Sequence, residues 1–138
     1  MRSYISIEVR YAETDQMGVV HHSVYPVWFE TARTRFSQEM GVPYQEMERM
    51  GLMLPVRELS VKYVAPAVYG GCVTVETRAV RLTPSRIVFR YRVLSGEKLL
   101  AEGETLHAWV GRDFRPINLR KAFPTVYEAA FKAVEAEA

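Results

Sequence analysis

Between residues 55 and 111 the chain carries four runs in which apolar and polar side chains alternate: PVRELSVKYVAP, CVTVETRAVRL, RIVFRYRVL and KLLAEGETLHAWVG. A period of two sends successive side chains to opposite faces of a strand, so each run has one face to bury and one to expose. In the second run Val73, Val75, Thr77 and Ala79 share a face, against Thr74, Glu76 and Arg78. In the third, Ile87, Phe89, Tyr91 and Val93 oppose Arg86, Val88, Arg90 and Arg92. In the fourth, Ala101, Gly103, Thr105, His107 and Trp109 line up together. The short turns LTPSR and SGEK join the last three runs into an antiparallel meander. The first run stops at Pro66, where a turn passes through Gly70 and Gly71. A sheet of this size with one apolar face needs a second layer to cover it.

One upstream segment is long enough to be that layer. From Ser23 or Tyr25 to Met40, apolar residues recur at Tyr25, Trp28, Phe29, Ala32, Phe36 and Met40, the spacing of one helical face. Ser23 is the expected N-cap, Pro26 fits the first turn, and Gly41 followed by Pro43 is a normal stop. Residues 4 to 10, YISIEVR, alternate as a first strand. YQEMERMG, ending at Gly51, is a shorter helical piece, and residues 124 to 136 form an amphipathic C-terminal helix. Small residues at the centre of the last run let a helix approach the sheet closely. The order predicts an α+β layer structure, a long central helix wrapped by an antiparallel sheet of about five strands. With no repeat or composition break, the 138 residues are read as one domain, 1–138, able to bury roughly two-thirds of its unfolded surface.

Charge and cysteine content narrow the function classes. A net charge of +2 gives no electrostatic case for nucleic acid as a partner. The single cysteine, Cys72, excludes an internal disulfide and is read as a small buried hydrophobe. The N-terminus MRSYISIEVRYAETD lacks an apolar core of signal-peptide length, and no run approaches the ~20 apolar residues of a membrane span. A cytoplasmic protein without a membrane partner is expected. The three histidines and one cysteine are scattered without metal-ligand spacing, so neither metal nor cofactor is expected.

Chemistry concentrates in residues 11 to 33, YAETDQMGVVHHSVYPVWFETAR. Asp15 lies in a short turn with Gly18, seven residues before His22, where loop becomes helix. Asp readily caps its own turn, which is the plain reading of Asp15. The chemical reading sets its carboxylate across from free backbone N–H groups at the helix start, which polarise a carbonyl oxygen. Gly18 suits a backbone with φ > 0 or one approached by a ligand. Glu13 is read as solvated or paired with an arginine. Tyr25, Trp28 and Phe29 are core residues that would also wall an acyl pocket, and Trp109 and Phe114 are open to both readings. Arg78, Arg81, Arg86, Arg90, Arg92, Arg112 and Arg115 read as a solvated sheet face or as a phosphate-docking surface.

The same stretch resembles the signature of the hotdog-fold acyl-CoA thioesterases, in the 4-hydroxybenzoyl-CoA thioesterase and YbgC-like branch. The matching residues are Tyr11, Thr14, Asp15, Gly18, Val20, Tyr25, Phe29, Glu30, Ala32 and Arg33. Further on, Tyr63, Pro66 and Gly70 also match, but Gly71 stands where relatives often have an acid. The resemblance implies a hotdog fold and hydrolysis of an acyl-CoA to a carboxylic acid and free CoA. Asp15 takes the place of the catalytic carboxylate, as general base or nucleophile. The His22 backbone N–H takes that of the oxyanion donor, and the His22 side chain matches a histidine of YbgC-like members. Gly18, Val20 and Tyr25 fall at the substrate-binding stretch. The resemblance also implies a homodimer with the active site between subunits, often paired into a homotetramer. The alternative is a non-catalytic acyl-CoA or acyl-carrier binding module on the same fold; a hotdog dehydratase lacks its second acid here.

Overall fold

The four alternating runs and the N-terminal strand join in one five-stranded antiparallel sheet. The structure, a computed structural model, describes residues 1–135. In chain order the strands are β1 (Ser3–Glu8), β2 (Val56–Tyr63), β3 (Cys72–Leu82), β4 (Arg86–Ser95) and β5 (Lys98–Ala108). Their order across the sheet is β1-β3-β4-β5-β2. The meander β3–β4–β5 therefore forms the middle, and the two earlier strands flank it on opposite sides. The chain must cross the whole sheet between β1 and β2, and α1 (Tyr25–Met40) makes that crossing over the apolar face. This is the expected α+β hotdog arrangement.

The register explains how closely helix and sheet meet. One row across the sheet reads Ser3, Thr77, Tyr91, Gly103, Val61. Above Gly103 lies the ring of Phe29, stacked on Tyr91 with centroids 4.2 Å apart. A Cβ on Gly103 would lie 2.5 Å from Phe29 and 2.8 Å from the Ser60 carbonyl oxygen, so only glycine fits under the ring. Tyr25, Trp28, Phe29, Ala32 and Phe36 are all buried on this face, as the helical spacing predicts.

Several expected details are corrected. β1 runs from Ser3 to Glu8, because beyond it the Val9 amide turns to Gly71 O and the Arg10 amide to the Glu13 carboxylate. Ser23 is not the helix cap. A 3₁₀ turn, His22–Val24, leads into α1, and His21 caps it by accepting the Ser23 N–H on Nδ1 at 3.2 Å. Cys72 is exposed rather than buried, since it opens β3 on the outer face. Glu76 also points outward yet is buried, enclosed by Arg2 and Arg92.

Short helices complete the chain. α2 (Tyr44–Arg49) follows α1, and α3 (Leu119–Ala122) precedes α4 (Pro124–Ala133). The last ends at Ala133, short of residue 136, which lies outside the described residues; Val134 is extended and the Glu135 N–H joins Ala79 O at 2.8 Å. The two ends of the described chain meet here: the Met1 amine donates to Ala133 O at 3.1 Å, and Arg2 pairs with Glu135. No helix among the described residues is long and apolar enough to cross a membrane.

Candidate active site

Residues 13 to 21 fold into a miniature hairpin. The His21 N–H donates to Glu13 O and the Asp15 N–H to Val19 O, each at 2.9 Å, and the Gly18 N–H closes the tip on Asp15 O at 3.0 Å. Gly18 has φ +79° with no protein atom within 4 Å of a would-be Cβ, so conformation and not crowding requires glycine here. A bond from the Val20 N–H to Ala67 O at 2.9 Å ties the hairpin to the segment after β2. Asp15 sits half-buried at its tip. Its Oδ1 accepts the Met17 N–H at 2.8 Å, the turn-capping bond of the plain reading. That bond fixes the carboxylate's direction, and Oδ2 has no protein partner among the described residues.

The helix entrance leaves one donor open. In the 3₁₀ turn the Val24 N–H is taken by His21 O and the Ser23 N–H by His21 Nδ1. The His22 N–H has no acceptor among the described residues. Because a trans peptide points its N–H opposite its C=O, and His21 O faces into the turn, the His22 N–H faces outward. The Tyr63 hydroxyl holds the next carbonyl, His22 O, at 2.7 Å. The His22 side chain is exposed, its ring 4.1 Å from that of His21. A carboxylate and an orphan helix-start amide are what acyl transfer needs on its two sides: one handles the attacking oxygen, the other the developing oxyanion.

Two further residues support this geometry through contacts that the sequence pattern did not specify. Of the two readings of Glu13, the arginine pair holds: it is buried, pairs with the Arg10 guanidinium at 3.5 Å, and accepts the Arg10 N–H at 2.8 Å and the Trp28 indole N–H at 3.1 Å. The hairpin bearing Asp15 is thereby pinned to α1. Tyr63 is the second, reaching from the end of β2. Its ring meets Tyr25 edge-on at 5.1 Å, and Tyr25 meets Trp28 at 5.0 Å. Val20 and Tyr25 are buried and lie beneath the hairpin rather than on its surface. Burial raises the Tyr25 phenol's pKa, partly offset by a hydrogen bond with the Ala67 backbone. Of the ambiguous aromatics, Trp109 is core, while Phe114 is exposed at φ 61°.

A second polar cluster lies under the middle of the sheet, at the other end of β2. Arg33 Nη1 donates to the Tyr91 hydroxyl at 3.3 Å, which contacts Thr105 Oγ1 at 2.6 Å. Thr105 Oγ1 meets His107 Nε2 at 2.8 Å, and His107 Nδ1 meets Leu54 O at 3.1 Å. Burial, with Arg33 nearby, pushes the His107 pKa down to about 4, so the ring is neutral. Only one proton assignment then satisfies every contact: Arg33 to Tyr91, Tyr91 to Thr105, Thr105 to His107, and His107 Nδ1–H to the Leu54 carbonyl. Burial drives the Tyr91 pKa up to about 12, which keeps its proton in the chain. Among the described residues no three or more metal-ligating side chains cluster. Two of the strand arginines are held by carboxylates, Arg90 by Glu104 at 2.7 Å and Arg92 by Glu76 at 3.8 Å.

Residues 9–131 match the model of the thioesterase-like superfamily. YneP of Bacillus subtilis, provisionally named an acyl-CoA thioesterase, is 39% identical over 131 residues, covering 91% of this chain and 95% of YneP. The acyl-CoA thioester hydrolase YbgC of Escherichia coli O6:H1 is 30% identical over 128 residues, 91% of this chain and 92% of YbgC. Among solved structures, the DHNA-CoA thioesterase of Staphylococcus aureus superposes with a TM-score of 0.91 at 37% identity, covering 95% of this chain and 89% of that one.

Proposed function

Because the chain belongs to the thioesterase-like superfamily, as a thioester hydrolase of the YbgC-like kind, we propose that it cleaves acyl-coenzyme A through Asp15 and the His22 amide. The observation that carries this is the free Asp15 Oδ2 in a turn built next to an unpaired helix-start N–H. As general base, Asp15 takes a proton from water while the water oxygen bonds to the thioester carbon. The carbonyl oxygen becomes an oxyanion against the His22 N–H, the C–S bond breaks, and the departing thiolate takes up the proton. As nucleophile, the same carboxylate bonds to the thioester carbon as the C–S bond breaks and the CoA thiolate leaves; water then splits the mixed anhydride into the acid and the free Asp15 carboxylate. Both routes require the ionised carboxylate. Gly18 leaves the hairpin surface open beside the acyl group, and Val20 and Tyr25 hold it from below. The His22 imidazole flanks the reacting carbonyl.

The site is completed by a second copy of the chain. β2 is an edge strand with one side unpaired, and Val56, Leu59 and Tyr63 are exposed along it. Tyr11, Met17, Val68 and Tyr69 add exposed apolar surface around the Asp15 hairpin. An edge of this kind recruits another strand, and a two-fold axis closes the pair. Antiparallel pairing of β2 with its copy brings the start of one strand beside the end of the other.

Asp15→Asn tests the mechanism. The amide oxygen still accepts the Met17 N–H, so stability stays within about 1 kcal/mol of the parent. Turnover of acyl-CoA falls at least ~10²-fold, the lower end of a positioned acid–base contribution, while a non-hydrolysable analogue still binds. Equal turnover in parent and variant would leave Asp15 as a turn residue alone.

A further inference from the structure

A cavity of about 190 Å³ opens between α1, α2 and the segment leading into β2, lined by Arg33, Tyr44, Met47, Leu52, Met53 and Leu54, with Glu30 and Glu48 also on its wall. A dry apolar cavity of about 150 Å³ holds benzene, so this one takes a ring or a short chain. Its polar groups are unbalanced. Arg33 is only 8% exposed, and its one hydrogen bond goes to Tyr91. No carboxylate among the described residues forms an ion pair with it, although the exposed Glu30 carboxylate favours its charge. The Tyr44 hydroxyl is buried and has no hydrogen-bond partner among the described residues. Burial raises its pKa, tempered by the nearby guanidinium, so it stays a donor. A buried cation whose acceptor is a neutral phenol and a buried O–H without a partner thus meet in one cavity, with no carboxylate among the described residues paired to either. Such groups are costly to leave unmatched.

We propose that this cavity receives the far end of the acyl group and is built for a carboxylate there, held by the Arg33 guanidinium and the Tyr44 hydroxyl. Arginine's fork and a phenol O–H match a carboxylate's two oxygens, and the Met and Leu walls match the methylenes between it and the thioester. The inference rests on the thioesterase reading and on the paired β2 edges. Within one chain the cavity adjoins Leu54 before β2, whereas the His22 carbonyl is held by Tyr63 at its end. Along the helical segment, Arg33 lies eleven residues beyond His22, roughly 17 Å at ~1.5 Å per residue, too far for a short acyl group. Antiparallel pairing sets the cavity of one copy beside the Asp15 hairpin of the other.

The test compares short, medium and longer straight-chain acyl-CoAs with their ω-carboxylated counterparts, on the parent and on Tyr44→Phe. The parent is expected to favour the best carboxylated member over its alkyl twin by at least ~10²-fold in kcat/KM, the scale of a site whose polar groups would otherwise be unpaired. Tyr44→Phe should cut that ratio by about tenfold, the loss of one hydrogen bond to a charged group. It should not lower Tm, because the hydroxyl has no partner in the folded chain. A lower Tm with an unchanged ratio would make Tyr44 a structural residue and overturn the proposal. So would a parent that cleaves alkyl and carboxylated members alike, and that result would leave the thioesterase reading standing. A parent that cleaves neither series removes both.

Discussion

His107 can take up a second proton only by breaking the hydrogen-bond chain it terminates. Its Nε2 accepts from Thr105, its Nδ1 already donates to Leu54 O, and the Arg33 cation lies nearby. In the unfolded chain a histidine titrates near ~6.5, whereas the folded value is about 4. Between those values the unfolded state binds a proton that the folded state refuses. The stabilisation is therefore complete above roughly pH 6.5 and is lost as pH falls toward 4, by on the order of 3 kcal/mol. Thermal melts from pH 7 to pH 4 should show the parent's Tm falling more steeply than that of His107→Gln, and parallel curves would rule the effect out. The alternating pattern placed His107 on the correct face. Its partners could not be read, because Arg33, Tyr91 and Leu54 come to it only through the folded register.

At the level of elements, periodicity made the meander and α1 legible, since each follows from local burial alone. The positions of β1 and β2 were not, because which strand flanks which side depends on the helix crossing between them. The helix cap was misplaced for a related reason: Ser23 has the right residue type, but the 3₁₀ turn makes it a donor to His21. The arginine partner of Glu13 was legible, but its bond from Trp28 was not, because Trp28 lies across the hairpin and looks like ordinary core. The one tertiary contact the sequence did foreshadow is the small residue where helix meets sheet. Gly103→Ala should destabilise by about 2 kcal/mol or more, at the upper end of overpacking costs, because Phe29 is trapped between the new methyl and Tyr91. Urea denaturation measures this, and a variant as stable as the parent would mean that Phe29 can move aside.

For the whole molecule the decisive edge is β2. Leu59 is exposed there, so Leu59→Lys should cost the isolated chain no more than about 0.5 kcal/mol while opposing strand pairing. Sedimentation should show the parent as an assembly of at least two copies and the variant shifted to monomer. Acyl-CoA turnover should fall with it by at least ~10-fold, the loss expected when reacting groups are no longer held together. A fully active monomer would return the whole site to one chain. The meeting of Met1 with Ala133 has a consequence of its own. Both ends of the described chain, residues 1 and 135, lie with β1, across the sheet from β2. In a continuous ten-stranded sheet the two copies' ends would stand roughly 43 Å apart, nine spacings of ~4.8 Å. Splicing one copy's own ends into a circular permutant needs only a short loop. A tandem fusion that keeps the paired edges must instead carry a tether of at least about 13 extended residues, so protein engineers will find this chain easier to rewire than to double.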